Sequence, residues 1–269
     1  MIRLDHVTAG YGDGPVLKDV SVHFPKGFTA VIGPNGSGKS TLVKTAMGLV
    51  PAQSGQIFYG ETPLEDIPLK VRAAKAGILF QDHPKPALTV KQLTAHGRYS
   101  QDSWPRRKPD TGRIEAAMKK AGIQNLEHRP VSELSGGQRQ KAYLALLLCQ
   151  DPATYFFDEP NTGLDLASQL KMEELMKELA CSHPVIVIMH DLNLALKADH
   201  LIVLDQGHCV FEGKPQDFLQ TDLLERIFEV KAHPVTVQGK TEYFFRTEKG
   251  QIELFRSKEE TKVEERCLE

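Results

Sequence analysis

The chain has no long apolar run, and this lack limits what it can be. Its longer apolar stretches, such as Leu144–Cys149 and Val185–Met189, contain only six and five residues, whereas a membrane-spanning helix needs about 20. The first ten residues, MIRLDHVTAG, also lack the basic region and apolar stretch of a secretory signal. We therefore expect neither a spanning segment nor a secretory signal in this sequence.

Cysteine is scarce, and charge of either sign is not in excess. The four cysteines, at positions 149, 181, 209 and 267, lie 32, 28 and 58 residues apart, which is neither a metal-ligand spacing nor a disulfide framework. We interpret them as buried or idle thiols in a reducing compartment. Lysine and arginine number 33 against 35 aspartate and glutamate, a net charge of −2, so we expect no nucleic-acid partner.

The remaining 41% hydrophobic and 25% charged residues among 269 are typical of a globular protein. Alternating or continuous apolar patterns predict strands at Ile2–Val7, Val16–Phe24, Phe28–Ile32, Gln56–Tyr59, Gly77–Phe80, Thr154–Phe157, Val185–Met189, Leu201–Leu204 and Cys209–Phe211. Helical patterns predict helices at Leu42–Leu49, Thr89–Arg98, Arg113–Ala121, Gly137–Cys149, Asp165–Ala180, Leu194–Ala198 and Leu219–Val230. This order predicts an α/β fold with a helical insertion at about residues 82–150.

A glycine-rich segment between a buried strand and a helix fits the pattern G-x-x-x-x-G-K-[ST]. It consists of Gly33, Pro34, Asn35, Gly36, Ser37, Gly38, Lys39, Ser40 and Thr41. Its glycines let successive backbone N–H groups turn toward one anion, and the following helix presents its positive end to that anion. The segment predicts a site for a nucleotide and Mg²⁺, but it does not distinguish a transporter subunit from a kinase, a GTPase or a motor.

Polar side chains follow three other predicted strands. Asp158 and Glu159 end the strand Thr154–Phe157, His190 follows Val185–Met189, and Gln81 follows Gly77–Phe80. Because the carboxyl ends of strands in an open α/β sheet lie near the phosphate loop, Asp158 can bind Mg²⁺ and Glu159 can polarise a water for attack on the γ-phosphate. Each of these residues taken alone is also compatible with a purely structural role.

The segment Leu134-Ser135-Gly136-Gly137-Gln138 precedes Asp158 and Glu159 and resembles the signature motif of ABC transporter ATPases, which other P-loop families lack. The resemblance implies a RecA-like core with an antiparallel β subdomain and an inserted helical subdomain. It covers residues 1 to about 230 as one nucleotide-binding domain. Residues 231–269 form a short C-terminal extension, either a regulatory appendage or, as we favour, an extra hairpin.

The resemblance also implies roles for individual residues. The expected catalytic residues are Lys39, Gln81, Glu159 and His190, and the expected Mg²⁺ ligands are Ser40, Gln81 and Asp158. The expected ATP contacts are Tyr11, which lies 22 residues before Gly33 and stacks on adenine, the loop Gly33–Thr41, the signature residues Ser135, Gly136, Gly137 and Gln138, and Asp165 of the D-loop. Asn161 and Thr154 depart from the usual family residues, but neither removes a catalytic group.

The segment Thr89–Tyr99 is similar to a T-V-x-E-L-x-x-x-G-R-x segment of the iron-chelate, haem and cobalamin importer ATPases, with Gln92 in place of the glutamate. This resemblance implies a second copy of the chain as an ATP-sandwich partner, membrane permease subunits, an extracytoplasmic substrate-binding protein, and a peripheral position on the cytoplasmic face of the cell membrane. The alternatives are the ATPase of an exporter or of another metal or small-solute system, and a soluble ABC ATPase without a permease.

Overall fold

The computed structural model describes residues 1–12, 14–99, 110–237 and 240–247. The chain divides into two compact units, Met1–Pro215 and Gln216–Glu269, a division that lies before the boundary at residue 230 suggested by the sequence. Within the described residues, no helix combines the length and the apolarity needed to cross a membrane.

The described residues form twelve strands and nine α-helices. The strands are β1 (Ile2–Tyr11), β2 (Gly14–Phe24), β3 (Gly27–Ile32), β4 (Ala52–Tyr59), β5 (Thr62–Pro63), β6 (Ala76–Leu79), β7 (Thr154–Asp158), β8 (Pro184–Ile188), β9 (His200–Asp205), β10 (His208–Gly213), β11 (Val230–Val237) and β12 (Lys240–Thr247). The helices are α1 (Lys39–Ala46), α2 (Leu69–Lys75), α3 (Val90–Ala95), α4 (Thr111–Lys120), α5 (Gly136–Gln150), α6 (Leu166–Ala180), α7 (Leu192–Ala195), α8 (Pro215–Phe218) and α9 (Leu223–Phe228).

A six-stranded sheet with the order β10-β9-β3-β8-β7-β6 forms the centre of the first unit. All neighbouring strands are parallel except β9 and β10, which pair antiparallel. Strands β7 and β8 are almost entirely buried, and this explains their continuous apolar sequences. Because the strands run in the same direction, the segments that follow β3, β6, β7 and β8 meet at one edge of the sheet.

A second, antiparallel sheet with the order β2-β1-β4-β5 shares a hydrophobic core with the central sheet. Phe24 of β2 and Phe156 of β7 meet edge to face in this core, with ring centroids 5.7 Å apart. Leu42 and Val43 of α1 are buried in the same cluster. The helix that follows the glycine-rich loop is thus anchored by apolar contacts to both sheets.

The helices α3, α4 and α5 lie in sequence between β6 and β7, and no strand is formed by the described residues between them, as the sequence predicted. A 3₁₀ turn, His96–Arg98, follows α3 and approaches α5 closely. A Cβ at Gly97 would lie 2.4 Å from the carbonyl oxygen of Leu146. The close packing against α5 therefore explains why the segment Thr89–Tyr99 has glycine at position 97.

The prediction of one helix over Leu219–Val230 is wrong. The second unit contains the short helix α9, and the chain then enters β11, which pairs antiparallel with β12 from Val230 to Val237. The Thr221 hydroxyl donates to the Phe218 carbonyl and accepts from the Leu223 N–H, and such local bonds compete with helix propagation. Glu229 then ends α9 in the left-handed region at φ 56°. The sequence also alternates weakly between apolar and polar residues at Ile252–Phe255, and this stretch lies outside the described residues.

Candidate functional site

The glycine-rich loop connects β3 to α1 and requires glycine at defined points. Gly33, Gly36 and Gly38 have φ angles of 151°, 78° and 104°, which L-residues with a Cβ rarely adopt. A Cβ at Gly33 would also lie 2.1 Å from the carbonyl oxygen of Leu204. The loop conformation thus depends both on the freedom of φ and on close contact with β9.

The loop ends at the N-terminus of α1, where an anion is favoured. The N–H groups in the first turn of any α-helix have no intrahelical acceptor, and Gly38 at the N-cap has no side chain that could cap them. The buried Ser37 Oγ also finds no hydrogen-bond partner among the described residues. These donors, together with the positive end of the helix, form a cradle of the right chemistry for phosphate oxygens.

Lys39 is buried at the start of α1, and its ammonium group turns back onto the loop. Its Nζ donates to the carbonyl oxygens of Gly33 at 2.8 Å and Pro34 at 2.9 Å. Burial lowers the pKa of Lys39, and the carboxylates of Glu159 and Asp158 oppose that shift. The ammonium is therefore held beside the cradle by backbone acceptors, which phosphate oxygens can replace.

Ser40 and Asp158 meet at the same edge of the sheet. The Ser40 hydroxyl donates to Asp158 Oδ1 at 3.1 Å, and Asp158, the last residue of β7, is buried. Burial raises the pKa of Asp158, while the hydrogen bond from Ser40 lowers it. A hydroxyl and a buried carboxylate next to a phosphate cradle are the hard oxygen ligands that fit Mg²⁺.

Glu159 is held through both of its carboxylate oxygens. Gln81 Nε2 donates to Oε2 at 3.1 Å, and His190 Nε2 lies 2.7 Å from Oε1. The Thr162 hydroxyl donates to Oε2 at 3.4 Å. Glu159 itself has a φ of 50°, a left-handed conformation that is uncommon for this residue type and is often found at functional sites.

The structure thus brings together six of the predicted residues: Lys39, Ser40, Gln81, Asp158, Glu159 and His190. They come from the segments that follow β3, β6, β7 and β8. The arrangement combines an anion cradle, a fixed cation, a hard metal-ligand pair and an oriented carboxylate, and these are the parts that hydrolysis of a nucleoside triphosphate requires.

The signature residues stand at the start of α5 and bond to one another. Ser135 Oγ accepts from the Gln138 N–H at 3.3 Å, and Gln138 Oε1 accepts from the Ser135 N–H at 3.2 Å, which is a capping box. Gly136 is exposed and Gly137 half-buried. Among the described residues, no hydrogen bond joins these groups to Lys39 or Glu159.

Two further predicted ATP contacts also lie outside the hydrogen-bonded cluster. Tyr11 ends β1 with half of its surface exposed. Asp165 is the N-cap of α6 and accepts from the Ser168 N–H at 2.8 Å, a bond that lowers the pKa of its carboxyl. Within one chain, both side chains face solvent, as contacts to a ligand or a second chain require.

Some contacts around the site were not foreseen from the sequence. Gln140 of α5 is buried and donates through Nε2 to the carbonyl oxygen of Pro160, which joins the signature helix to the loop after Glu159. The rings of His83 and Tyr143 stack with centroids 4.7 Å apart, and the Tyr143 hydroxyl donates to the Pro84 carbonyl. The only signal in the sequence was that these residues lie close to predicted site residues, since Gln140 follows the signature and His83 follows Gln81.

Burial, together with the nearby Arg139 charge, lowers the pKa of His83 to about 4. At neutral pH the imidazole is therefore uncharged, and it stacks on the Tyr143 ring. The segment after Gln81 is in this way attached to α5 by packing and by one hydrogen bond.

The fold and the site together define a P-loop nucleotide hydrolase. A helical segment is inserted in it between the glycine-rich loop and the acidic pair Asp158 and Glu159. The profile of the family described as "ABC transporter" matches residues 17–162. The chain belongs to the ABC transporter family, as its motifs had indicated, and it binds and hydrolyses ATP.

Two curated relatives illustrate the similarity. The ferric enterobactin transport ATP-binding protein FepC of Escherichia coli (strain K12) is 38% identical over 239 residues, which cover 86% of this chain and 88% of the relative. The iron(3+)-hydroxamate import ATP-binding protein FhuC of Bacillus subtilis (strain 168) is 35% identical over 242 residues, which cover 87% and 90%.

Solved structures confirm the predicted fold class. The dimeric structure of MJ0796, a bacterial ABC transporter cassette, superposes with a TM-score of 0.73 at 26% identity, and the match covers 80% of this chain and 99% of that chain. The RecA-like core, the antiparallel β subdomain and the helical insertion are therefore those of an ABC ATPase cassette.

Proposed function

We propose that this chain is the ATPase subunit of an importer that moves a metal chelate, such as a ferric siderophore, across the cytoplasmic membrane. The relatives described above are, by name, ATP-binding proteins of ferric enterobactin transport and iron(3+)-hydroxamate import. Each is matched over more than four fifths of both chains, which supports a shared role for the whole domain and not only for its nucleotide site.

The observation that carries the proposed chemistry is the double restraint on Glu159. With His190 on Oε1 and Gln81 on Oε2, the carboxylate has one orientation from which it acts as the general base toward a water at the γ-phosphate. Lys39 exchanges its bonds to Gly33 and Pro34 for bonds to the β- and γ-phosphates. Positioning and charge stabilisation, rather than covalent chemistry, supply the rate.

Ser40 and Asp158 hold Mg²⁺ in this proposal, and Gln81 completes the set. A bound Mg²⁺ neutralises charge on the phosphate oxygens and orients them. The Ser40 hydroxyl is already 3.1 Å from Asp158 Oδ1, so the two ligands need only turn toward a shared cation. Asp158 would bind the cation in its charged form, although burial raises the pKa of this carboxyl.

A second copy of the chain completes each nucleotide site. Ser135, Gly136, Gly137 and Gln138 lie at an exposed helix start that presents N–H donors to an anion, yet they are not joined to their own chain's Lys39 and Glu159. A head-to-tail dimer places this helix start on the partner's γ-phosphate, with Tyr11 on adenine and Asp165 near the shared interface. The similarity to a dimeric cassette supports this arrangement.

The permease is the partner that receives the motion. The segment Gln81–Arg98 runs from the Glu159 contact to the helical subdomain, where Gly97 packs closely on α5. Closure of the dimer moves this segment together with α5, and a cytoplasmic helix of the permease seated there is moved in turn. The chain accordingly works at the cytoplasmic face of the membrane, and an extracytoplasmic binding protein delivers the chelate.

An uptake assay in cells tests the proposal. The chain is co-expressed with any permease and binding protein whose genes are found beside its own, and uptake of a ⁵⁵Fe-labelled siderophore by these cells is measured. Wild-type chain supports uptake and Glu159→Gln does not, although both copurify with the permease. A stable soluble assembly without any polytopic membrane protein would contradict the transport role and favour a soluble ABC ATPase.

A further inference from the structure

A cluster of two histidines and a glutamate lies outside the nucleotide site. His23 belongs to β2, His200 begins β9 and Glu212 lies in β10, and their ligand atoms all fall within 4.8 Å of one another. The imidazole of His23 approaches Glu212 Oε1 through Nδ1 at 2.6 Å, and His200 approaches the same oxygen through Nε2 at 3.1 Å. A strand near the N-terminus and the β9–β10 hairpin thus direct nitrogen and oxygen ligands at one point.

The cluster is largely withdrawn from water. Side-chain exposure is 12% for His200, 21% for Glu212 and 43% for His23, so the site has one open side, next to His23. The backbone N–H of His23 also donates to Glu212 Oε1 at 2.9 Å. Burial would raise the pKa of Glu212, but the hydrogen bonds from His200 and His23 outweigh it and keep the pKa below its usual range. The carboxylate is therefore charged and available as a ligand.

The chemistry of this set is that of a transition-metal site. Imidazole nitrogen and carboxylate oxygen suit Zn²⁺, and a His₂Glu set with a fourth position open to water is an established Zn²⁺ arrangement. Tetrahedral coordination at these bond lengths separates ligand atoms by roughly 3.3–3.5 Å. The two observed nitrogen–oxygen separations of 2.6 and 3.1 Å lie within an ångström of this value, and the two imidazole nitrogens lie within 4.8 Å of each other.

We propose that His23, His200 and Glu212 bind one divalent transition-metal ion, preferentially Zn²⁺, with water in the fourth position. The ion ties β2 of the antiparallel sheet to the β9–β10 hairpin of the central sheet. The turn of that hairpin contacts the phosphate loop, since the Gly207 N–H donates to the Ser37 carbonyl at 3.1 Å. The site is separate from the Mg²⁺ ligands Ser40 and Asp158.

Metal titration of the full chain tests this inference. Metal-free protein in millimolar Mg²⁺, without nucleotide, is titrated with Zn²⁺ against a chromophoric chelator, and Co²⁺ serves as a spectroscopic probe. We expect one Zn²⁺ per chain and the visible absorption of four-coordinate Co²⁺. Binding should weaken as the pH is lowered from 7.5 to 5, because a ligand must lose its proton to bind the metal, so protons compete with Zn²⁺ for the site.

Variants assign the ion to the cluster. His200→Ala and Glu212→Gln should each weaken Zn²⁺ binding at least ~100-fold, since loss of an outer-shell partner alone costs roughly 10–100-fold. His128→Ala removes an exposed histidine elsewhere, and Asp158→Asn alters the Mg²⁺ site, so both should bind Zn²⁺ as wild type does. Zn²⁺ should also raise the melting temperature of wild type but not that of His200→Ala.

Two results would overturn the inference. Either wild type shows no Zn²⁺ uptake and no four-coordinate Co²⁺ spectrum, or His200→Ala and Glu212→Gln, with native circular dichroism, bind Zn²⁺ as tightly as wild type. In both cases the cluster is only a hydrogen-bonded arrangement in which Glu212 joins β2 to the hairpin.

Discussion

His190 Nε2 lies 2.7 Å from Oε1 of Glu159, although 31 residues separate them along the chain. The contact exists because β7 and β8 are neighbouring parallel strands, in which Asp158 pairs with Ile188. The residues that follow the two strands therefore emerge side by side. Glu159 is oriented by this contact and by Gln81 together.

Glu159→Gln should lower the rate of ATP hydrolysis by about 10²–10⁴-fold, the usual contribution of a general base. The amide keeps the size of the side chain and its contact with His190, so ATP affinity should change by less than about threefold. Steady-state phosphate release and equilibrium binding of a fluorescent ATP analogue measure the two effects. Hydrolysis at the wild-type rate would show that Glu159 is not the base.

Lys39→Ala should weaken ATP binding roughly 10–100-fold, because it removes a charge-assisted contact worth about 1.5–3 kcal/mol. The same nucleotide titration measures the affinity. Lys26→Ala is the matched control, since Lys26 is an exposed lysine that follows β2. Equal affinities in the two variants would mean that Lys39 serves only to brace the loop through Gly33 and Pro34.

In a Glu159→Gln background, where unhydrolysed ATP should hold two chains together, Ser135→Ala should prevent the ATP-driven dimer without abolishing ATP binding to the single chain. The substitution also removes a helix cap, which costs about 1 kcal/mol of stability. Thr89→Ala is a matched control, because Thr89 forms the same capping box with Gln92 at the start of α3. Urea unfolding should show similar losses in the free energy of unfolding for Ser135→Ala and Thr89→Ala. Size-exclusion chromatography with ATP should show a dimer only for Thr89→Ala. Dimerisation of both variants would refute the role of the signature.

Gly33→Ala should destabilise the domain by more than about 2 kcal/mol, because its Cβ would overlap the Leu204 carbonyl and the backbone would have to shift. Gly36→Ala also has an unfavourable φ, but nothing lies within 4 Å of its Cβ, so it should cost only about 1–2 kcal/mol. Chemical denaturation compares the two. A smaller loss for Gly33→Ala than for Gly36→Ala would contradict the close contact with β9.

Cys209 should react slowly with iodoacetamide in the native protein. Burial and the nearby Glu212 carboxylate raise the pKa of the Cys209 thiol to about 11, and a raised pKa leaves less reactive thiolate. At pH 8 the rate should be roughly 100-fold below that of an ordinary thiol, with a rise of about tenfold per pH unit up to pH 10. The rate for Cys209 alone is measured in a chain in which Cys149, Cys181 and Cys267 are replaced by serine. The unfolded chain is the control, and equal rates in both states would refute the prediction.

The phosphate loop and the strands around it could be predicted from the sequence because their signals are local. Three glycines with a lysine and a serine are typical of one loop geometry, and the short continuous apolar runs of β7 and β8 are typical of strands buried on both faces. The one helix predicted at Leu219–Val230 was wrong because the Thr221 hydroxyl and the left-handed Glu229 end helices that an apolar pattern alone would continue.

Sequence order and residue type were enough to identify the family, the nucleotide and the residues that follow each strand. They could not give the contacts between those residues. The contacts of Gln81 and His190 with Glu159 arise because strands distant in sequence become neighbours in the central sheet. The bond from Gln140 to Pro160 and the meeting of His23 with His200 and Glu212 depend instead on the packing of a helix on a loop and of one sheet on another. Strand order and the packing of one sheet on another set such distances, and neither is written in any short stretch of sequence.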